Sequence, residues 1–133
     1  MRLAGTVAAL VVLAPPGASS ALGIDFTTPS RNIGCAGDST FVRCDIARTN
    51  AKPPPKPRSC RFDWGNAFRL GQRGRPRRLC YRDTVLGSRR VLRYGRTIRF
   101  GRRIACTSRP SGLTCRNRDG HGFFLNRERV RLF

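Results

Sequence analysis

The sequence predicts an all-β domain with little or no helix, mainly antiparallel strands and hairpins, stapled by three disulfides. First, all six cysteines lie between positions 35 and 115, and an even cysteine number in a short exported chain indicates disulfides. Second, apolar residues alternate with polar ones in short runs separated by turn residues. Third, no window of eleven residues has helical apolar spacing without Gly or Pro, which argues against helices.

The N-terminal segment has the composition of an export signal. After a short basic start, residues 3–14 form an apolar run of twelve, shorter than the roughly 20 residues of a membrane span. A Pro-Pro-Gly break and small residues follow, as in a cleavage region. We therefore expect a signal peptide at 1–21, a single domain at 22–133, an extracytoplasmic location and no transmembrane span after cleavage.

The first half of the domain is predicted to form strands and a connector. Residues 24–28, 31–35 and 41–46 carry alternating or β-branched patterns. They are separated by Pro29-Ser30 and by the turn-rich residues 36–40. The prolines among residues 52–57 lack backbone N–H donors and have a fixed φ, which predicts a stiff polyproline II connector.

The second half is predicted to form hairpins. Residues 91–106 alternate between an apolar face and an Arg face, with turns or bulges expected at Gly95 and Gly101. A type I turn centred on Pro110-Ser111 would then join two strands. Asp119-Gly120 predicts a two-residue hairpin turn, and residues 127–133 read as a last strand with a basic face.

The cysteine spacing predicts the pairing. Eight residues separate Cys35 from Cys44, and the same number separates Cys106 from Cys115. Opposed residues of a hairpin lie about 4.5–5.5 Å apart at Cα, which suits a disulfide. Cys60 and Cys80 would form the third bridge. The two hairpin pairs have similar neighbours, so they form a weak internal repeat. No metal or cofactor is expected, because tight Cys-x-x-Cys pairs are lacking.

The charge is strongly positive. Lys and Arg number 27 against 7 Asp and Glu, for a formal charge of +20, and loss of Arg2 with the signal peptide lowers it from +20 to +19. Such a charge repels itself unless counter-ions or an anionic partner are present, and guanidinium groups bind phosphate in a bidentate manner. The expected anion-binding residues are Arg93, Arg99 and Arg103, on one strand face, and Arg116, with Trp64 and Tyr94 as possible stacking residues.

Catalysis has few candidate residues. His121 is the single histidine and lies between two glycines, so it could serve as a general base. No serine occurs in a nucleophile-elbow pattern, and the scattered carboxylates do not indicate a glycosidase pair. We expect a histidine packed at a strand edge and a protein that is not an enzyme.

Several motifs together resemble a known family. In chain order they are Thr28-Pro29-Ser30 with Asn32-Ile33 and Cys35, Val42-Arg43-Cys44-Asp45-Ile46, Asp63-Trp64-Gly65, Gly112-Leu113-Thr114-Cys115 with Asn117, and Gly120-His121-Gly122-Phe123. This set resembles a family of small exported bacterial proteins, mostly actinomycete, catalogued as a domain of unknown function. The resemblance implies a six-cysteine, β-rich, signal-bearing protein, and it implies no activity.

The expected function follows from the charge. We expect a non-enzymatic module that binds anionic cell-envelope polymers or lipid head groups through an Arg-rich surface. Two alternatives stay open: a small secreted hydrolase that uses His121, and a secreted structural or inhibitor-like protein that binds another protein. Nucleic acid is a less favoured partner, because an exported protein meets envelope polymers first. The sequence predicts no oligomeric state.

Overall fold

Two five-stranded antiparallel sheets form the protein in a computed structural model that describes residues 4–9 and 23–133. This part of the chain contains strands and no helix, and three disulfides link Cys35–Cys44, Cys60–Cys80 and Cys106–Cys115. The predicted fold class and pairing are therefore confirmed. Most of the expected signal peptide at 1–21 lies outside the described residues, and residues 4–9 carry no secondary structure.

Each sheet is a meander in which strands that follow one another in the chain pair with one another. The first sheet has the order β1-β2-β3-β4-β5 and the second has the order β10-β9-β8-β7-β6. The strands are β1 (Ile24–Thr27), β2 (Ile33–Gly37), β3 (Phe41–Ile46), β4 (Asp63–Gly71), β5 (Arg77–Tyr81), β6 (Thr97–Phe100), β7 (Ile104–Arg109), β8 (Gly112–Asn117), β9 (Gly122–Leu125) and β10 (Val130–Leu132).

Two of the four hairpin turns in the second sheet, β7–β8 and β8–β9, are predicted from the sequence, and they differ in length. Arg109 pairs with Gly112, which leaves Pro110-Ser111 at the centre, as the sequence predicts. In the next hairpin, however, the Asn117 N–H donates to the His121 carbonyl at 2.9 Å. The loop therefore has three residues, 118–120, and the expected two-residue turn is wrong. Gly120 takes the left-handed conformation (φ 81°) that completes a three-residue loop.

The expected Arg-bearing strand over residues 91–106 is interrupted. β6 covers only Thr97–Phe100, and a turn at 101–103 reverses the chain into β7. Gly95 (φ 83°) and Gly101 (φ 63°) lie in turns, as predicted. Consequently Arg93 and Arg103 lie outside the strands. The prediction that they share one strand face with Arg99 is wrong, because the chain reverses at Gly101 instead of continuing.

The core lies between the sheets and is centred on two disulfides. One inner row contains Phe26, Cys35, Cys44 and Phe68, and the other contains Ile98, Cys106, Cys115 and Phe123. All of these side chains except the partly buried Ile98 are fully buried. The sulfurs of Cys44 and Cys115 are 3.8 Å apart. Both disulfides join the second and third strands of their sheets, which is the structural counterpart of the weak repeat.

A long connection, which we call the strap (residues 82–96), crosses the outer face of the first sheet. The Thr27 N–H donates to the Arg90 carbonyl at 2.7 Å, and the Leu92 N–H donates to the Thr27 carbonyl at 2.9 Å. A Cβ on Gly34 would lie 2.7 Å from the Val85 carbonyl oxygen. The strap therefore needs glycine beneath it in order to approach the sheet.

One buried carboxylate holds the strap. Asp45 is 2% exposed, and it accepts hydrogen bonds from Arg43 Nε at 2.9 Å, Thr84 Oγ1 at 3.0 Å and the Val85 N–H at 3.1 Å. Arg43 also donates to Asp83 at 2.9 Å. Burial disfavours the charged guanidinium, but the hydrogen bonds that Arg43 donates to Asp45 and Asp83 outweigh burial and raise the pKa of Arg43. The same contact lowers the pKa of Asp83.

Candidate functional site

Two of the arginines predicted to bind anions lie together on the outer face of the second sheet. Arg99 on β6 and Arg116 on β8 are exposed, and they occupy one cross-strand row with Ala105 between them. Two strand spacings separate their backbones by about 9–10 Å. The structure places Arg93 in the strap, exposed, and Arg103 in the β6–β7 turn, half-buried. Thus Arg99 and Arg116 share a surface of the sheet, whereas Arg93 and Arg103 do not belong to it.

Further side chains extend this surface. Thr97, Thr107, Thr114, Phe124 and Arg131 form the adjacent cross-strand row. Thr97 and Thr107 share a hydrogen bond of 2.7 Å between their hydroxyls. The guanidinium groups of Arg116 and Arg131 each lie 5.2 Å from the centre of the Phe133 ring, within cation–π range. The basic face is defined here as Arg99, Arg116, Arg131, Thr97, Thr107, Thr114 and Phe133.

The protein's own carboxylates do not neutralise the arginines of the basic face. Within residues 4–9 and 23–133, Arg43 is the one arginine that forms a salt bridge. Other carboxylates serve the fold: Asp38 accepts from Thr40, Asp119 from the Gly74 N–H and Glu128 from Asn50. The bonds from the Thr40 side chain and backbone lower the pKa of Asp38. The guanidinium groups of the basic face are therefore available to an anion.

A second basic site, which sequence reasoning missed, is a cleft of about 620 Å³. It lies at one end of the sandwich, between the β1–β2, β7–β8 and β9–β10 turns. Its lining includes Arg31, Arg48, Arg109, Arg127, Tyr94 and Glu128. The four arginines are exposed; Arg31, Arg48 and Arg127 come from three different loops, and Arg109 ends β7. No periodic pattern could have revealed them, because only the packing of the two sheets brings these turns together.

Asparagine residues hold the cleft loops in place, Asn32 and Asn126 through their side chains and Asn50 through its backbone. The Asn32 amide donates to the Arg48 carbonyl and accepts from the Arg48 N–H, both at 2.9 Å. The Asn126 amide donates to the Ser111 carbonyl at 3.0 Å. The Asn50 N–H donates to the Arg127 carbonyl at 2.7 Å. Each of these bonds joins loops that are distant in sequence, so the cleft is preformed.

Arg31 has an unusual backbone. Its φ is 63°, and it is the one non-glycine residue with positive φ in the described part of the chain. The Arg31 N–H donates to the Thr28 carbonyl at 2.8 Å, which closes a turn with Pro29 at its second position. The left-handed region is unfavourable for a long side chain. Arg31 is thus held in a conformation that glycine would adopt more easily.

The two predicted stacking residues have different surroundings. Tyr94 is 50% exposed and lines the cleft. Trp64 is half-buried on β4, and its indole N–H donates to the Pro54 carbonyl at 3.0 Å. A Cβ on the neighbouring Gly65 would lie 3.0 Å from Pro53. Trp64 therefore anchors the Pro-rich connector and belongs to neither basic site.

His121 does not line the cleft, and it immediately precedes Gly122, which pairs with Arg116 of the basic face. It follows the β8–β9 loop, at the opposite end of β8 from the cleft, and its backbone pairs with Asn117. Its half-buried ring makes no hydrogen bond to the residues that the structure describes. Three sulfurs, of Cys35, Cys44 and Cys115, lie within 4.8 Å of one another. Because these sulfurs are in disulfides, they offer no thiolate for a metal.

Comparison with known proteins identifies a family. A family model described as "Family of unknown function (DUF6636)" matches residues 6–133. No curated protein and no solved structure matches the chain. Across residues 4–9 and 23–133, no helix has the length and apolar character needed to span a bilayer. The three disulfides are typical of extracytoplasmic proteins.

Proposed function

The chain belongs to the Family of unknown function (DUF6636), whose description assigns no activity, and we propose that it is a non-enzymatic module that binds phosphate-rich polymers of the cell envelope. The observation that carries the proposal is the basic face, where Arg99, Arg116 and Arg131 lie on one sheet surface and have no carboxylate partner among the described residues. Export through a signal peptide at 1–21 is part of the proposal, since such polymers lie outside the cytoplasm.

The basic face suits an extended polyanion. Residues two apart on a strand are about 6–7 Å apart, and neighbouring strands are about 5 Å apart. Guanidinium groups on this lattice can contact successive phosphates, and each group can donate two parallel hydrogen bonds. The hydroxyls of Thr97, Thr107 and Thr114 lie in the row beside Arg99 and Arg116, where Thr114 and one hydroxyl of the bonded Thr97–Thr107 pair can add donors. Such a surface would recognise the spacing of the phosphates along a polymer. It would not need to bind the end of the polymer chain.

Salt dependence tests the proposal. Binding of the purified protein to long-chain polyphosphate, measured by fluorescence anisotropy, should weaken linearly on a log–log salt plot because counter-ions are released. The triple variant Arg99→Ala, Arg116→Ala, Arg131→Ala should lower the slope by about three, roughly one for each arginine. The matched control removes three exposed arginines elsewhere, Arg58→Ala, Arg61→Ala and Arg89→Ala, and should leave the slope nearly unchanged.

The remaining outcomes either refute the proposal or identify a different partner. If both triple variants lower the slope equally, the charge acts without a defined face, and the proposal fails. Vesicles that contain phosphatidylglycerol provide a second arm, because they present the same phosphate chemistry as lipid head groups. Face-dependent binding to vesicles but not to polyphosphate would assign the partner as a lipid surface. In a pull-down from envelope fractions, a single protein band that survives high salt would favour the alternative of a protein partner.

A further inference from the structure

We infer that the cleft at the end of the sandwich binds an acidic sugar, that is, a saccharide unit that carries a phosphate or carboxylate group. The inference deepens the proposed function and rests on it in one respect: an anionic envelope glycopolymer would contain such a unit. It stands on different residues from the basic face. The cleft and the face can therefore be tested separately.

The positive charge of the cleft requires an anionic ligand group. Arg31, Arg48, Arg109 and Arg127 surround a space of about 620 Å³. None of these four arginines forms a salt bridge with the described residues. Guanidinium groups that converge from several loops match the oxygens of a phosphate or carboxylate in a way that a single point charge does not.

The remaining lining indicates a sugar and not a bare anion. The Glu128 carboxylate is held by Asn50 Nδ2, with bonds of 3.0 and 2.9 Å to its two oxygens. A carboxylate repels an inorganic anion, but its free lone pairs accept bonds from sugar hydroxyls. The half-exposed ring of Tyr94 offers an apolar surface for the C–H groups of a pyranose. The volume lies within the range of small-molecule sites, and one phosphate would fill little of it.

The cleft is also built in advance. Arg31 keeps a left-handed backbone (φ 63°), which costs free energy that a purely structural turn would avoid with glycine. The backbone beside Arg48 and Arg127 is fixed by the asparagine bonds at 2.9 and 2.7 Å. A preformed site loses less conformational entropy on binding. A ligand site is expected to combine a strained backbone at a lining residue with loops that hydrogen bonds hold together.

Calorimetric titration of the full chain tests the inference with four probes: glucose 1-phosphate, glucuronate, glucose and inorganic phosphate. The first two should bind at least about tenfold more tightly than the last two, because only they offer both the anion and the hydroxyls. Arg31→Gly and Arg109→Ala should each weaken the binding of the acidic sugars by about tenfold or more. Arg31→Gly suits the left-handed backbone, so it should fold at least as well as the parent, as its melting temperature will show.

Different results would refute the two proposals. The basic-face triple variant should keep its affinity for acidic sugars, whereas Arg31→Gly and Arg109→Ala should keep most of the salt slope for polyphosphate. The inference is overturned if neither acidic sugar binds, or if inorganic phosphate or glucose binds as tightly as they do. It is equally overturned if both cleft variants bind like the parent. A glucuronate preference would assign a uronate unit, and a preference for glucose 1-phosphate would assign a sugar phosphate.

Discussion

Buried polar atoms show how individual residues are fitted into the sandwich. Thr27, Thr28 and Asn117 are buried, and the side chain of each makes a hydrogen bond. Ser108 differs, because its Oγ is the one buried side-chain polar atom without a partner in the described residues. Burying a hydroxyl without a partner costs about 1–3 kcal/mol. Ser108 is therefore a local defect of the core.

Replacing this serine should stabilise the protein. Ser108→Ala removes the unpaired hydroxyl and leaves only a small void, so the free energy of unfolding should rise by up to about 1 kcal/mol. Urea denaturation measures the change. The control is Thr27→Val, which removes a hydroxyl that donates to the Ile33 carbonyl at 3.1 Å and should cost about 1 kcal/mol. A comparable loss at Ser108 would contradict the prediction.

Residue types alone predicted some of the site and missed the rest. Arg99 and Arg116 were predicted as anion-binding residues because Arg is the residue suited to phosphate, and they share a row on the second sheet. That function itself stays a prediction. Trp64 was equally reasonable as a stacking residue, yet it donates to Pro54. Nothing in the sequence marked Arg31 as a site residue, because it differs from the other arginines in its backbone φ angle, which the residue type does not indicate.

Among the elements, the strap is held by backbone bonds to Thr27 on β1 and by one buried side chain on β3. Its residues cross the outer face of the first sheet, and Asp45 on β3 accepts bonds from Thr84 and the Val85 N–H. Arg43 completes the cluster from the same strand, and its side chain is 15% exposed. A buried carboxylate with several donors is stable only while those donors remain.

Changing Asp45 should release the strap. Asp45→Asn leaves the half-buried Arg43 without its buried carboxylate, and we expect a loss of about 3 kcal/mol in the free energy of unfolding. The amide of Val85 should also lose protection in hydrogen exchange. The control is Asp83→Asn, at a carboxylate whose side chain is 83% exposed; its effect should be small. Unchanged protection at Val85 would show that the strap is held by its other contacts.

Turn chemistry explains why the hairpins were more predictable than the strap. Pro110 and Gly112 impose local backbone angles, and β7 and β8 pair around them as expected. The loop before His121 has the same kind of local signal, and the error there was one residue in length. The strap has no comparable signal, since its path follows from contacts with β1 and β3.

At the scale of the molecule, the three disulfides have unequal roles. Cys35, Cys44, Cys106 and Cys115 are 0% exposed, and two of their sulfurs touch at the centre of the core. Cys60 is 7% exposed but Cys80 is exposed, so the Cys60–Cys80 bridge reaches the surface on the Cys80 side. A thiolate must reach a sulfur in order to reduce it. Access to the two core bridges requires opening of the sandwich, whereas access to the third does not.

Mild reduction should therefore proceed in order. Under a low concentration of dithiothreitol, Cys60 and Cys80 should become alkylated first, while the four core cysteines remain protected in the folded protein. Loss of this bridge, which spans 20 positions, should lower the free energy of unfolding by about 3 kcal/mol. Timed alkylation with peptide mapping gives the order, and urea denaturation gives the loss. Early labelling of Cys44 or Cys115 would show that the core opens readily.

The sequence by itself determined the class of fold, the disulfide pairing and most hairpins, because these depend on contacts between residues close in the chain. Alternation defines a strand face within a few positions, and a hairpin disulfide needs only two opposed residues. Tertiary structure decided which arginines lie together. The basic face depends on the register of five strands, and the cleft depends on turns from both sheets meeting at one end. Such proximity arises only when the sheets pack, and no local pattern along the chain encodes it.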